Sequence, residues 1–113
     1  MDLTIEIYRL VKLLPKEEMY ALSDQLRRSV VSIPSNIAEG HGRESSKEFV
    51  HFLSIARGSH HEVETQLEIC KRLNLITLND IETSKLLVVE ISKMINSLIT
   101  YLKTKNQQLI TNN

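Results

Sequence analysis

Short clusters of histidine and glutamate are the residues of this chain whose types and spacing come nearest to a metal site. Glu48 and His51 form a Glu-x-x-His step, which is one half of the di-iron motif of helical bundles. The sequence contains no second Glu-x-x-His step, and the motif requires one. His60 and His61 lie with Glu64 on one predicted helix, and His60 with Glu64, four residues apart, offers two ligands, but no His-Glu-x-x-His accompanies them. The sequence therefore predicts no metal site and no cofactor, and it predicts that His60 and Glu64 form a helix-surface pair or an interface contact.

Nucleolytic and nucleophilic chemistry is equally poorly supported. A helical ribonuclease of the HEPN type would need an arginine followed, after four to six residues, by a histidine. Arg43 precedes His51 by seven intervening residues, and Arg57 precedes His61 by three, so neither pair fits. The single cysteine, Cys70, falls on an apolar stripe and is predicted to be a buried small hydrophobe. We therefore predict no catalytic residue, and a protein that is not an enzyme.

The stretch SIPSNIAEGHGR, residues 32–43, gathers glycines and a basic residue in a chain that otherwise has helical periodicity. It lacks both the preceding strand and the glycine spacing of phosphate-binding loops. Gly40 follows the end of an apolar stripe, where a left-handed residue would end a helix. The stretch is thus predicted to be the corner between two helices. An anion site at the start of the following helix, with Arg43 and Lys47 contributing, remains the alternative.

Apolar residues recur at three- and four-residue steps in four segments, which predicts four amphipathic helices. The second stripe passes through Pro34, so we expect this helix to continue beyond the proline with a kink. The four stripes are Leu3, Ile7, Leu10 or Val11, Leu14; Leu22, Leu26, Val30, Ile33, Ile37; Phe49, Phe52 or Leu53, Ala56, Ser59 or His60, Val63, Leu67, Cys70; and Ile81, Val88, Ile91, Ile95, Leu98, Leu102.

Capping residues mark the ends of these segments. Pro15, at the start of the segment PKEE, predicts the first turn of the second helix. Ser45 with Glu48 forms the S-x-x-E capping box of the third, and Thr77 or Asn79 can cap the fourth. Short loops between such helices predict an all-α protein with the fold of an antiparallel up-down four-helix bundle.

The composition limits the domain count, the compartment and the partners. We expect one bundle over residues 1–104 and a polar C-terminal tail over residues 105–113. Fourteen basic residues balance fourteen acidic ones, whereas nucleic-acid binders commonly carry a basic excess. The single cysteine fits a reducing compartment, and the start MDLTIEIYRL lacks the basic region of a signal peptide. The longest apolar run, LLVVEISKMINSLITYL, is interrupted by polar residues, so we expect a cytoplasmic protein with no membrane partner.

A local basic surface is compatible with zero net charge. The candidate contacts to nucleic acid come from the second and third helices and from the corner between them, and they are Arg28, Arg43, Lys47 and Arg57. An ordinary solvated charged face is the competing interpretation. No aromatic platform accompanies these residues, so stacking on single-stranded bases is not expected.

Polar residues on or beside the apolar stripes form a second candidate set. They are Arg27, Asn36, Glu39, Glu62, Glu64 and Gln66. Antiparallel packing would bring the arginines near the start of the second helix within reach of the glutamates near the end of the third. These residues then either form ion pairs and caps within one chain or build a polar network between subunits. Gly58 and Ser59 are small enough to allow close helix approach in either case.

The sequence of residues 27–67, RRSVVSIPSNIAEGHGRESSKEFVHFLSIARGSHHEVETQL, closely resembles the signature of a known family. It is the four-helix bundle family of proteins encoded in intervening sequences of 23S ribosomal RNA genes, also labelled the S23 ribosomal protein family. The flanking segments KLLPKEEMYAL and ISKMINSLITYL extend the resemblance to about residues 3–103.

This resemblance implies an up-down bundle that assembles as a ring-like homopentamer. The family is also similar to the accessory protein of diversity-generating retroelements, which binds nucleic acid and a reverse transcriptase through a basic surface. The expected function is therefore that of a non-catalytic homo-oligomer associated with RNA or another nucleic acid. The alternative is a protein-protein interaction scaffold, with a protein partner and no nucleic-acid role.

Overall fold

Residues 1–112 fold into four α-helices in the computed structural model, which describes the side chains of residues 1–17 and 21–105. The helices are α1 (Asp2–Val11), α2 (Asp24–His41), α3 (Ser46–Arg72) and α4 (Leu78–Asn112). In the bundle α1 packs against α2 and α4, α2 packs against α3, and α3 packs against α4. No strand occurs in residues 1–112. The predicted all-α four-helix bundle is confirmed.

The core is built from the predicted stripes. Its buried side chains are almost all aliphatic, because the chain contains no tryptophan and only two phenylalanines. The α4 stripe carries two buried residues that the periodicity did not indicate, Ser84 and Ile99. Ser84 is fully buried and its hydroxyl has no hydrogen-bond partner among the described residues. None of the helices in residues 1–112 has the length and apolar character that crossing a bilayer requires.

The connection between α1 and α2 differs from the prediction. A 3₁₀ turn (Lys16–Glu18) and a π-helical turn (Met19–Ser23) precede α2, so the regular α-helix begins at Asp24 and not near Pro15. The wider π-helical turn places the adjacent residues Leu22 and Ser23 both in the interior. Beyond Asp24, α2 continues through Pro34 as predicted.

Hydroxyl side chains cap the two long helices. The Ser45 hydroxyl accepts a hydrogen bond from the Glu48 backbone N–H at 3.1 Å, which confirms the predicted start of α3. At the start of α4 the Thr77 hydroxyl accepts from the Asp80 N–H at 3.1 Å, and the Asp80 carboxylate accepts from the Thr77 N–H at 3.2 Å. Thr77 is thus the cap of α4, Asn79 is not, and Asp80 completes a reciprocal capping box that the sequence analysis missed.

The residue with left-handed backbone angles is not a glycine, contrary to the prediction made for Gly40. No glycine has positive φ, and Gly42 at the end of α2 is right-handed, with φ −79° and ψ −5°. The left-handed residue is Asn74, at φ 58°, which follows the C-cap residue of α3, Leu73. There the Leu75 N–H donates to the Cys70 carbonyl at 3.0 Å and the Asn74 N–H to the Lys71 carbonyl at 3.0 Å, which is a Schellman ending with asparagine in the glycine position.

Gly40 is required for close packing and not for its backbone angles. It lies inside α2, and a Cβ at this position would stand 2.8 Å from the Phe52 Cβ and 2.9 Å from the Phe49 Cδ1. Both phenylalanines belong to α3, so the missing side chain lets the two helices approach at the corner. The predicted corner is confirmed, with a different reason for its glycine.

The α4 helix extends to Asn112. The predicted polar tail of residues 105–113 falls largely outside the described side chains, so the boundary after residue 104 stays a prediction.

We expect Gly40→Ala to lower the free energy of unfolding by about 1–3 kcal/mol, the usual cost of overpacking. The reason is that the added Cβ meets the Phe52 Cβ, an atom that cannot move without the α3 backbone. Urea denaturation followed by circular dichroism measures the change. Gly42→Ala is the matched control, since its Cβ would meet only ordinary contacts at 3.6 Å or more. An equal loss of stability in both variants would contradict the packing argument.

We expect Asp80→Asn to change how stability depends on pH. Hydrogen bonds from the Thr77 side chain, and then from its backbone, hold the pKa of Asp80 below its ordinary value, with the charge of Arg9 adding to the effect. A carboxyl group whose pKa is lower in the folded state stabilises the fold above its unfolded pKa, and the contribution is lost as pH falls through the folded pKa. The variant should therefore be less stable than the parent at pH 7, and the gap should close as pH falls below about 4. Urea melts across this range test it, with Asn79→Ala as the neighbouring control, and a gap that does not change with pH would refute it.

Candidate interaction surfaces

A polar seam runs along the contact between α2 and α3. The Ser29 hydroxyl donates to Glu62 Oε2 at 3.0 Å, and the hydroxyl oxygens of Ser32 and Ser59 lie 2.7 Å apart. Nearer the loop after α3, the Gln66 amide donates to the Gln25 side-chain oxygen at 3.3 Å. These pairs follow one antiparallel register, so they fix how α2 and α3 align. The polar seam comprises Gln25, Ser29, Ser32, Ser59, Glu62 and Gln66.

The seam opens to solvent as a groove with Arg28 at its edge. Ser29 and Gln66 are buried at its floor, whereas Glu62 is exposed. Asn36 extends the network, since its amide donates to the Ser32 carbonyl at 2.8 Å and to the Ser32 hydroxyl at 2.9 Å. Gln66 Oε1 has no hydrogen-bond partner among the described residues. A buried acceptor without a donor is costly, so the groove favours an occupant that donates a hydrogen bond there.

The exposed face of α3 beside the groove carries an isoleucine at each end and a glycine between them. Ile55 and Ile69 are each 40% exposed and stand fourteen positions apart on the same side of the helix. Gly58 lies between them, and a Cβ there would meet nothing within 4 Å. Another helix can therefore approach the α3 backbone closely at this point.

The predicted polar set divides between the seam and pairs within single helices. Asn36, Glu62 and Gln66 belong to the seam or its extension. Arg27, Glu39 and Glu64 do not.

Each of these three has a partner within the same helix or at its end. Arg27 pairs with Asp24 at 3.0 Å, and Glu39 pairs with Arg43 at 2.5 Å. The expected ion pairs between arginines of α2 and glutamates of α3 are absent among the described residues, because partners three or four positions away are nearer.

The four predicted basic residues do not form one continuous face. Arg43 and Lys47 are both exposed at the corner, where the Arg43 guanidinium stacks over the Phe52 ring at 4.9 Å. Arg28 precedes Arg43 by fifteen residues, about 20 Å along a helix. Arg57 turns toward α4, where its guanidinium donates to the Asn96 side-chain oxygen at 3.2 Å. Only the corner brings two of the four together.

A cluster of ligand-bearing side chains extends from the α4 side of α3, where His60 lies, to the edge of the face beside α2, where His61 adjoins Gly58 and Ile69. His60 is 1% exposed, and its Nε2 lies 2.7 Å from the Val88 carbonyl of α4. Its Nδ1 lies 3.0 Å from Glu64 Oε1, and the Nδ1 of His61 lies 3.4 Å from the same oxygen. Glu64 and His61 are exposed. The sequence pattern placed His61 near the pair of His60 and Glu64 but not as a third ligand, because adjacent residues on a helix ordinarily face different directions. A helix-surface pair is wrong for His60, whose ring is buried against α4.

The other sequence-level candidates gain no site from the structure. Glu48 and His51 are exposed on α3, and in residues 1–17 and 21–105 the group of histidine, cysteine and acidic side chains close enough to share a metal ion is His60, His61 and Glu64. Cys70 is buried in the core, as predicted.

Comparison with known proteins agrees with this architecture. A crystal structure of a protein of unknown function from the S23 ribosomal protein family of Bacteroides thetaiotaomicron superposes with a TM-score of 0.80. The two sequences are 31% identical, and the match covers 87% of this chain and 92% of that one. No protein with a curated description matches this chain.

The sequence itself matches a family model over residues 1–97, a span that includes α1 to α3 and the first twenty residues of α4. The family is described as the 23S rRNA-intervening sequence protein family. With the four-helix bundle and the superposed relative, this match shows that the chain belongs to the 23S rRNA-intervening sequence protein family.

Proposed function

We propose that this protein is a non-catalytic module that assembles with copies of itself through the face shared by α2 and α3. The observation that carries the proposal is the open groove along the polar seam, flanked by the exposed side chains of Ile55 and Ile69. The resemblance of the sequence to a family with ring-like assemblies supports the same choice of partner.

The chemistry of this face suits a second copy. Arg28 and Glu62 line the groove with opposite charges, so the arginine of one copy can approach the glutamate of another. Ile55 and Ile69 would lose solvent contact, which is favourable in proportion to the apolar area buried. Gly58 allows the approaching backbone to come close, and a donor from the second copy would satisfy Gln66 Oε1.

The non-catalytic part of the proposal rests on what the candidate residues do. Glu39, Arg43 and Arg27 are engaged in ion pairs, and the hydroxyl, amide and carboxylate groups of the seam fix helix register. The proposal assigns the same structural role to the one seam pair that joins a hydroxyl to a carboxylate, Ser29 with Glu62. A cytoplasmic location belongs to the same proposal and follows from the cysteine content discussed above.

A nucleic-acid contact at the corner is the second candidate function. It is favoured by the exposed cations of Arg43 and Lys47, which adjoin the N-terminus of α3, where the helix dipole favours an anion. One such corner is a weak patch on a chain of zero net charge. Repetition in an assembly would multiply it, because linked sites raise avidity without new contacts. A pure protein scaffold is the outcome if this corner binds nothing.

We expect Ile69→Glu to break the assembly, because it places a charge in the buried interface. Sedimentation velocity of the purified chain should show an oligomer for the parent and a shift to monomer for the variant. Gly58→Leu should have the same effect by blocking close approach, while its better helix propensity preserves the fold.

Leu86→Glu is the matched control, since Leu86 is 66% exposed on α4 away from the groove. It should leave the sedimentation coefficient unchanged. A parent protein that stays monomeric at all accessible concentrations would refute self-assembly, and equal dissociation by Leu86→Glu would move the interface to α4.

We expect the double variant Arg43→Ala with Lys47→Ala to weaken RNA binding and to flatten its salt dependence. Each lost phosphate contact lowers the slope of log K against log salt by about 0.7 to 0.9. Fluorescence anisotropy with a structured RNA at several salt concentrations measures both quantities. Lys71→Ala with Arg72→Ala removes the same charge at the far end of α3 and should have little effect. No binding by the parent at low salt would refute the nucleic-acid contact and leave the self-assembling scaffold.

A further inference from the structure

The hydrogen bonds of His60 leave one ring nitrogen facing a carboxylate. The Val88 carbonyl can only accept, so the Nε2 that lies 2.7 Å from it carries a hydrogen and donates. The neutral ring then presents an unprotonated Nδ1 to Glu64 Oε1, 3.0 Å away. Two acceptors at this distance repel unless a positive group lies between them, which is either a proton or a metal ion.

The same arrangement is typical of metal-binding histidines. Such residues ordinarily donate their second ring N–H to a carbonyl or carboxylate, which fixes the ring and directs the other nitrogen at the metal. His60 has this bond to α4, and its burial prevents the ring from turning away. The chain therefore holds one ligand nitrogen in a fixed direction.

Two further ligand atoms lie close to this nitrogen. Glu64 Oε1 is also 3.4 Å from His61 Nδ1, and the three atoms all lie within 4.8 Å of one another. In a tetrahedral zinc site with bonds of about 2.0–2.1 Å, neighbouring ligand atoms are about 3.3 Å apart. The two short separations here match that spacing. Small side-chain rotations of the exposed Glu64 and His61 would close the third.

We propose that His60, His61 and Glu64 form a site for a divalent transition-metal ion, with Zn²⁺ as the best match. Two imidazoles and one carboxylate are the donor set of many zinc sites with an open fourth position, whereas Ca²⁺ and Mg²⁺ prefer oxygen ligands alone. Water completes the coordination from the open side of α3. A bound ion would also tie α3 to α4, because the His60 ring connects the metal to the Val88 carbonyl. The inference does not require the proposed self-assembly, but the two sites are adjacent, because His61 adjoins Gly58 and Ile69.

Zinc titration of the untagged full chain, first treated with EDTA, tests the site by calorimetry. We expect one Zn²⁺ per chain for the parent, and at least tenfold weaker binding for His61→Ala and for Glu64→Gln. Both residues are exposed, so neither variant threatens the core as a His60 variant would. His51→Ala is the matched control, because it removes an exposed histidine from the same helix and should leave the affinity unchanged.

Cobalt substitution and thermal unfolding provide independent readouts. Co²⁺ should give the visible absorption of a tetrahedral site with the parent and His51→Ala, and not with His61→Ala. Zn²⁺ should raise the melting temperature of the same two proteins, since an ion that binds only the folded state stabilises it. Absence of zinc heat and of the cobalt spectrum in the parent would overturn the proposal, and so would equal weakening by His51→Ala and His61→Ala.

Discussion

The contact between α2 and α3 at Gly40 is the constraint on which the rest of this structure depends. Phe49 and Phe52 pack against the glycine so closely that no side chain fits there. With the two helices held together at the corner, the pairs Ser32–Ser59, Ser29–Glu62 and Gln25–Gln66 follow along one register. That alignment produces the groove along the polar seam and the charged residues at its edge. It also leaves Gln66 Oε1 without a hydrogen-bond partner among the described residues.

The polar seam joins α2 to α3 by hydrogen bonds and is also open to solvent. A purely apolar contact between the two helices would not combine these two properties. Hydroxyl and amide pairs specify one register, because a shift of one residue would leave buried polar groups without partners. They also leave the outer side of the α2–α3 contact open to solvent, so this surface is available to another chain. In the proposed assembly, the groups that align two helices of one copy also line the contact with the next.

The α3–α4 contact follows a different principle. It is mostly apolar, but His60 lies within it and joins the helices through the Val88 carbonyl. A buried histidine that is oriented from one side by a carbonyl and faces a carboxylate on the other is both a structural link and a ligand. The side of α3 that faces α4 thus holds the fixed ligand His60, and His61 lies beside Gly58 and Ile69 at the edge of the face proposed for self-assembly.

Hydrophobic periodicity alone determined the four helices and most of the core, since the stripes of three- and four-residue steps must face inward whatever the partners are. Local rules also determined the cap at Ser45, and they left the cap of α4 open between Thr77 and Asn79. Sequence did not reveal why Gly40 is small, because that depends on two phenylalanines of another helix. It also misplaced the left-handed residue, which tertiary context put at Asn74.

The sequence identified Asn36, Glu62 and Gln66 as polar candidates but could not say that they meet in a seam with serines of two helices. Of the cluster of His60, His61 and Glu64, the sequence indicated the pair of His60 and Glu64 at positions i and i+4. Only the fold decided that a carbonyl of α4 orients the ring and that His61 reaches the same carboxylate, because side-chain direction on a helix depends on what packs around it.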